Sequence, residues 1–348
     1  MSQEKNEMAS GIGRYLVQRA PQLALVILGV LVITFVVSHV APSNPAALWA
    51  GAHPTAAEVR RVTIELGLDK PLPEQFYIYV TQLLRGNFGV SFRTHNPVLS
   101  DISAALTATL ELVITAFVLA VIAGTIVGVT AAYKRDRFAD HAGRLGALFM
   151  VSMPSFWLAM ILQLVFSQTL HLFPLAGRMS QTVSLEYPLR TITGFNLIDS
   201  LVTLNFHAFG DSLWHLVLPA IALAVYPFGL TVRMLRSMMI EVLQENYVRS
   251  ARAWGLSNYL ILFKYALKNA VSSTIVALGM AFAYALTGAF LVELVFAWPG
   301  IGTYTGLSIL SLDYAPIMGA VFVVAIFYVL INLLIDIFQV YLDPRVTL

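Results

Sequence analysis

The chain has 348 residues, of which 58% are apolar and 11% charged, with a formal net charge of +2. Soluble domains carry about 25% charged residues, so this composition and a mean hydropathy of +0.77 exclude an ordinary soluble protein. The small net charge gives no electrostatic basis for nucleic-acid binding, and the absence of cysteine excludes disulfides, thiolate metal sites and cysteine nucleophiles.

Residues 1–13 are polar, end in glycines and read as a mobile tail. The apolar run Pro21 to Val37 is long for a signal peptide, and no small-x-small cleavage site follows Val40, so it reads as an uncleaved first span. A hydrocarbon core of about 30 Å needs about 20 helical residues. Six segments meet that length: Tyr15–Ala41, Ala104–Ala132, Gly143–Leu170, Ser212–Leu235, Ala270–Ala297 and Tyr314–Tyr341. Backbone amides in lipid must pair internally, and the continuous apolar runs do not match the short alternating strands of a barrel. The predicted fold class is an all-α polytopic membrane protein with six transmembrane helices. Its expected organisation is a tail (1–13), a first helix (14–41), an extracytoplasmic segment (42–103), a core of five spans (104–342) and a second tail (343–348).

Lysines and arginines in short loops set the orientation. One side collects Lys5, Arg14, Arg19, Lys134, Arg135, Arg137, Arg144, Arg233, Arg236, Arg249, Arg252, Lys264, Lys268 and Arg345, which is fourteen of the 21 basic residues. Both termini are therefore expected in the cytoplasm. Tyr15, Tyr133 and Tyr341 fit an inner aromatic belt, and Trp214, Trp298 and Tyr314 an outer one.

Between the first two spans, Thr55 at an N-cap position, Glu58 three residues on and Gly67 predict a short capped helix. Gly86, Asn87 and Gly89 mark turns. A second outer segment, 172–211, holds Pro174, Gly177, Pro188 and Gly194 and reads as a folded lid. Gly124 and Gly128 form a small-xxx-small pair that permits close helix packing. Pro154, Pro219 and Pro227 lie inside spans and predict kinks. Trp298-Pro299-Gly300-Ile301-Gly302 predicts a tight outer turn between the last two spans.

The one substantial cytoplasmic loop is 236–269. Glu241 to Gly255 predicts an amphipathic helix, with Tyr247, Ala251 and Trp254 on one face and Arg249 and Arg252 elsewhere. Gly255-Leu256-Ser257 breaks it, and a second helical piece, Tyr259–Asn269, follows. Small residues such as Ser250 and Ala251 permit close approach by another protein, and Gly255 permits a sharp reversal. The loop reads either as a docking element or as a connector whose arginines obey the topology rule. Within the spans, Glu111, Glu293 and Asp336 are the notable acids, with His39 near the outer edge. Glu293 and Asp336 fit either a pathway lining or interhelical hydrogen bonding. No committed midplane acid or broken helix stands out, so the energy for transport is expected from elsewhere. No GxxxxGK[ST], HExxH or GxSxG occurs, and the seven histidines form no metal cluster. No catalytic, cofactor or metal site is expected in this chain.

The chain resembles the first permease subunit of dipeptide, oligopeptide and nickel ABC importers. The resemblance runs from about Arg14 to Val346, in LGLDKPLPEQFYIYVTQLLRGNFGVSF, ITGFNLIDSLVT, HLVLPAIALA, NYVRSARAWGLS, ELVFAWPGIG, DYAPIMGAVFVV and LLIDIFQVYLDPRV. It implies a type I importer permease fold. It further implies that the helix bearing Glu245, Tyr247, Val248, Arg249, Ser250, Ala251 and Arg252, with Gly255 and Leu256, seats in a cleft of an ATPase subunit. The family's EAA motif, three residues and then Gly, falls on Arg249, Ser250, Ala251 and Gly255; only Ala251 and Gly255 agree, and the role of Arg249 is left open. The family pattern GDP after the first span stands here as Ser43-Asn44-Pro45. The implied partners are a second related permease, two ATPases that bind ATP and Mg, an external solute-binding protein that selects substrate, and the lipid membrane, with no nucleic acid. The substrate class implied is peptides; oligosaccharides, nickel or another small solute, and outside this machinery a stand-alone channel, secondary carrier or membrane scaffold, are the alternatives.

Overall fold

The computed structural model describes residues 2–40, 45–51, 53–65 and 67–342. Among them there is no strand; a single antiparallel bridge joins Val90 to Pro97. The protein is an all-α polytopic membrane protein, as the need to pair every amide within lipid requires.

In chain order the helices are α1 (Ser2–Val40), α2 (Pro45–Ala50), α3 (Ala56–Glu65), α4 (Leu72–Leu84), α5 (Val98–Tyr133), α6 (Phe138–Ser152), α7 (Ser155–Leu162), α8 (Gln181–Glu186), α9 (Asn196–Val202), α10 (Phe206–Val242), α11 (Asn246–Ala253), α12 (Asn258–Leu260), α13 (Leu267–Val295), α14 (Ile301–Leu310) and α15 (Tyr314–Leu342). Two stretches wind more widely as π-helix: Gln163–Thr169 after α7 and Ile261–Ala266 before α13. Among the described residues five helices contain a stretch long and apolar enough to cross a membrane, and α6 with the α7–Thr169 segment makes a sixth when that bent pair counts as one span.

Several limits move. The polar N-terminal residues are helical from Ser2 rather than a separate tail. Helix α5 begins at Val98 and α10 runs from Phe206 to Val242, past the hydropathy limits at both ends. Apolarity marks where lipid begins, whereas i→i−4 bonding continues wherever nothing breaks it. Loop 236–269 therefore shrinks to a connector around α11, with Arg236 inside α10 and Asn269 inside α13. The third span, expected as one run over 143–170, is broken. Its halves meet at 99° across extended Met153 and Pro154. Pro154 lacks the amide that would continue the helix and forces the residue before it out of the α region. Pro219 and Pro227, by contrast, lie within continuous α10. After the Trp298–Gly300 turn, the chain forms α14 rather than entering the last span directly. Residues 41–44 and 343–348, which include the Ser43-Asn44 positions and Arg345, lie outside the described residues, as do the side chains of His39 and Tyr341.

The chain divides into two compact units, Met1–Leu106 with Ile301–Leu330 and Thr107–Gly300 with Ile331–Leu348. In the first, Val98, Ile102, Ala105, Ile301, Tyr304 and Ala320 form a buried apolar cluster, and Leu31, Leu83 and Phe322 a second. Helix α3 carries the predicted reciprocal cap: the Thr55 amide donates to Glu58 Oε2 at 2.8 Å, and the Glu58 amide to Thr55 Oγ1 at 3.3 Å. Gly67 follows at φ +66°. Asp313 is buried, and its carboxylate accepts from Ser91 Oγ at 2.6 Å and the Arg93 amide at 3.2 Å. Burial nonetheless holds the Asp313 carboxyl above the usual carboxylate range.

In the second unit, α10 is the central element, packed against α6, α7, α9 and α13. The glycine pair of α5 works as its spacing predicts. A Cβ at Gly124 would lie 2.7 Å from Thr231 Cβ, and one at Gly128 3.2 Å from the Leu235 Cβ and the Val232 carbonyl. Any side chain there would push α5 off α10. The lid is folded. The Asp199 carboxylate accepts from the amides of Ile192, Thr193 and Gly194 at 3.0, 2.8 and 3.0 Å and from the Thr193 hydroxyl at 2.6 Å. Burial pushes this carboxyl up, but those hydrogen bonds outweigh it and hold Asp199 below its ordinary value.

Candidate functional site

The α11 connector is shaped by local rules before any packing. Helix α10 stops at Val242, and Glu245, extended at φ −64° and ψ 148°, starts α11 with its carbonyl accepting from the Val248 and Arg249 amides. At the other end the Gly255 amide bonds to the Arg252 carbonyl at 3.0 Å, and the Leu256 amide to that of Ala251 at 3.2 Å. These are the two reciprocal bonds of a Schellman stop, which needs a left-handed residue between them. Gly255 supplies it at φ +77°. Two residues on, the Ser257 hydroxyl accepts from the Leu260 amide and caps the next helix. The connector is thus a helix, a reversal and a cap, with little slack.

Two contacts hold α11 down. Val248 is fully buried, and the Tyr247 hydroxyl accepts from Asn269 Nδ2 at 2.7 Å. Ala251 and Leu256 are half-buried, whereas Glu245, Arg249, Ser250 and Arg252 are exposed. The inward face is therefore Val248 with Ala251. Trp254, expected beside Tyr247 and Ala251, points outward and is 85% exposed. As the last residue before the reversal, it sits where helical periodicity no longer dictates direction. Tyr259 beyond the turn is 70% exposed, with its ring 5.1 Å from that of Phe263. The connector thus presents two arginines and two large aromatics on a rigid base. That mixture is enriched at protein–protein contacts, and Trp and Arg dominate their energetics.

The two acids singled out within the spans do not form one site. A Cβ on Gly279 would fall 2.5 Å from Ile335, so Asp336 lies at the level of Gly279. Glu293 is fourteen residues further along α13, about 20 Å at 1.5 Å per residue. Glu293 is fully buried and accepts from Thr109 Oγ1 at 2.6 Å. Gly300 abuts the same carboxylate, where a Cβ would overlap it. Trp298, expected in an aromatic belt, is buried, and its Nε1 donates to the Ala108 carbonyl at 2.9 Å. Asp336 is half-buried in α15. Sequence reasoning missed two ion pairs, Glu111–Arg178 and Asp140–Arg236. Glu111 was visible as an acid in a span, but a lid arginine 67 positions away has no spacing signal. Asp140 and Arg236 read as loop charges because the helices outrun their hydropathy limits.

A helical protein that crosses the membrane several times and holds a short rigid helix between two long spans has the form of a membrane translocation subunit. Residues 124–348 match the family described as binding-protein-dependent transport system inner membrane component, and residues 12–113 match that family's N-terminal region. The chain belongs to this family. It is a multi-pass inner-membrane permease component of an ABC importer, a system that also contains a solute-binding protein and ATPase subunits, and it is not itself the ATPase. It is 42% identical over 329 residues to a probable D,D-dipeptide transport system permease protein, DdpB, of Escherichia coli, covering 94% of this chain and 96% of the relative. It is 37% identical over 329 residues to the E. coli dipeptide transport system permease protein DppB, covering 93% and 97%. The dipeptide permease DppB of Alkalihalophilus pseudofirmus is 36% identical over 332 residues, covering 95% and 98%.

Proposed function

We propose that this permease passes di- or oligopeptides across the cytoplasmic membrane by alternating access, and that α11 with its Schellman turn is where an ATPase subunit docks. The observation that carries the docking role is the combination on α11 of fixed backing and free face. Val248 and the Tyr247–Asn269 bond anchor it, while Arg249, Arg252 and Trp254 remain exposed. The peptide substrate is supported by the dipeptide systems named for relatives that match along nearly the whole chain.

In this reading two ATPases bind ATP and Mg and close on one another, and a second homologous permease completes the pathway. Differential nucleotide binding shifts a two-state equilibrium, and rigid helices carry the shift. Residues 1–13, the α11 connector and residues 343–348 face the cytoplasm. Segments 42–103 and 172–211 lie outside and receive the binding protein, which largely sets substrate choice. Glu293 acts as an interhelical tie, since its carboxylate is buried and hydrogen-bonded.

The test is gentle detergent purification of the chain from its native membrane, with mass spectrometry of what accompanies it. A second permease and Walker-motif ATPases are expected, with ATP-dependent dipeptide uptake in proteoliposomes once the binding protein is added. Recovery of the chain alone, active without ATP, overturns the reading. Gly255→Arg addresses docking directly: membrane insertion is expected to persist while the ATPases are lost, and normal transport in that variant removes the docking role.

A further inference from the structure

Ten residues before α11, Arg236 on α10 forms a forked ion pair with Asp140 in the first turn of α6. Arg236 Nε bonds to Asp140 Oδ1, and Nη2 donates to Oδ2 at 2.7 Å. The Asp140 side chain is fully buried and that of Arg236 is 18% exposed, so solvent screens the pair little. Oδ2 also accepts the Asp136 amide at 3.0 Å, which fixes the carboxylate from its other side. A bidentate guanidinium–carboxylate contact resists rotation as well as separation.

A second attachment lies seven residues away on both helices. A Cβ at Gly229 of α10 would fall 2.6 Å from the Ala147 carbonyl and the Val151 side chain of α6. Arg236 with Asp140 and Gly229 with Ala147 are therefore two antiparallel registration points, about 10 Å apart along the axes. Between them the register of α6 on α10 is set at two points. Just beyond, the chain bends by 99° at Met153 and Pro154, and α7 packs on α10 and α13. An α6 that follows α10 carries one arm of that bend with it.

We propose that the Asp140–Arg236 pair is the positioning contact that passes displacement of α11, through α10, to α6 and its bend. The inference rests on the docking role proposed above for α11. Arg236 lies about one and two-thirds turns from the end of α10, and α10 continues without a break from there to its last residue. A push on α11 therefore crosses the three-residue turn 243–245, then reaches Arg236 through continuous helix, and the fork converts it into movement of α6.

The experiment uses the complete transporter with its native partner subunits. A fluorescent label is placed at Phe149→Cys on α6, which is 62% exposed, and the chain has no native cysteine. The double variant Asp140→Asn with Arg236→Gln leaves no unpaired charge behind. It is expected to keep partner binding and ATPase rate while the ATP-driven signal at residue 149, per ATP hydrolysed, falls about two- to thirtyfold. An unchanged signal per ATP overturns the proposal, and so does a fall in ATPase rate and signal together in proportion to lost thermal stability. Gly255→Arg in the same preparation separates the two readings. If it retains the ATPases, the docking role fails; if it loses them while the double variant keeps its signal, only the transmission role fails.

Discussion

Arg178 donates from both Nε and Nη2 to a single oxygen of Glu111, at 2.8 and 2.6 Å. The other Glu111 oxygen accepts the Leu197 amide at 2.8 Å, and Arg178 Nη2 also reaches the Gly194 carbonyl at 2.7 Å. One carboxylate on α5 therefore holds the lid at two points, on either side of α8. With Asp199 fastening the 192–194 turn from within, the lid has a fixed shape although its helices are six and seven residues long.

Because Glu111 is 4% and Arg178 14% exposed, cutting one partner strands a buried charge. Arg178→Met is expected to destabilise the protein by about 3–5 kcal/mol. Glu111→Gln combined with Arg178→Met should cost clearly less than the single change. Thermal unfolding of the purified variants in one detergent decides, and equal losses would mean that the pair does not act as a unit.

Gly300 is required by its neighbour rather than by its own backbone. Gly300→Ala drives a methyl group into the Glu293 carboxylate and is expected to cost about 1–3 kcal/mol by overpacking. In a Glu293→Ala background the same change should be nearly silent. A double-mutant cycle with no coupling between the two positions would place the constraint elsewhere.

Acid should act oppositely on two buried carboxylates outside the spans. Asp199 has a lowered pKa, so its contribution is present above the unfolded value and is lost as pH falls through the folded one. Asp313 has a raised pKa, so stability is greatest below its unfolded value and declines as pH rises through the folded one. Amide exchange measured across the acid range should show residues 192–203 loosening as pH falls and residues 91–94 tightening. Asp199→Asn should abolish the first trend, and its survival would assign the trend to another group.

Trp254 separates folding from docking. Since its side chain is 85% exposed, Trp254→Ala is expected to leave thermal stability within about 0.5 kcal/mol. Loss of a central aromatic anchor should nevertheless weaken retention of the ATPase subunit by about thirtyfold. Pull-down against a titration of free ATPase measures this directly, and unchanged retention would remove Trp254 from the contact.

Orientation is tested from outside. Protease sites inserted between residues 42 and 103 are expected to be cut in sealed right-side-out vesicles and protected in inverted ones. The reverse pattern would invert the topology.

Much of this architecture is legible in the residues. Span number, the Thr55–Glu58 cap, the close approach at Gly124 and Gly128 and the Gly255 reversal all follow from local rules, and each has its structural counterpart, whereas Pro154, read as a kink in one span, breaks that span outright. What escapes is long-range or terminal. Nothing in the spacing of Arg178 and Glu111, or of Asp140 and Arg236, announces a pair, because tertiary packing alone brings them together. Trp298 reads as a belt residue by its place at a span end, yet the Ala108 carbonyl gives its indole a buried partner. Trp254 reads as part of an apolar face by period, but it stands on the turn where the period ends.

The wide turns at Gln163–Thr169 and Ile261–Ala266 bear on how this chain tolerates changes in length. A π-turn holds one residue more than an α-turn, so deleting a single residue within 261–266 lets that turn close as ordinary α-helix. Everything from Leu267 onward then keeps its facing. The same deletion a turn later, inside α13, rotates the remainder of the helix by about 100° and swings Glu293 away from Thr109. The wide turn at 261–266 is a reserve of one residue, placed where a long span can be shortened without being turned.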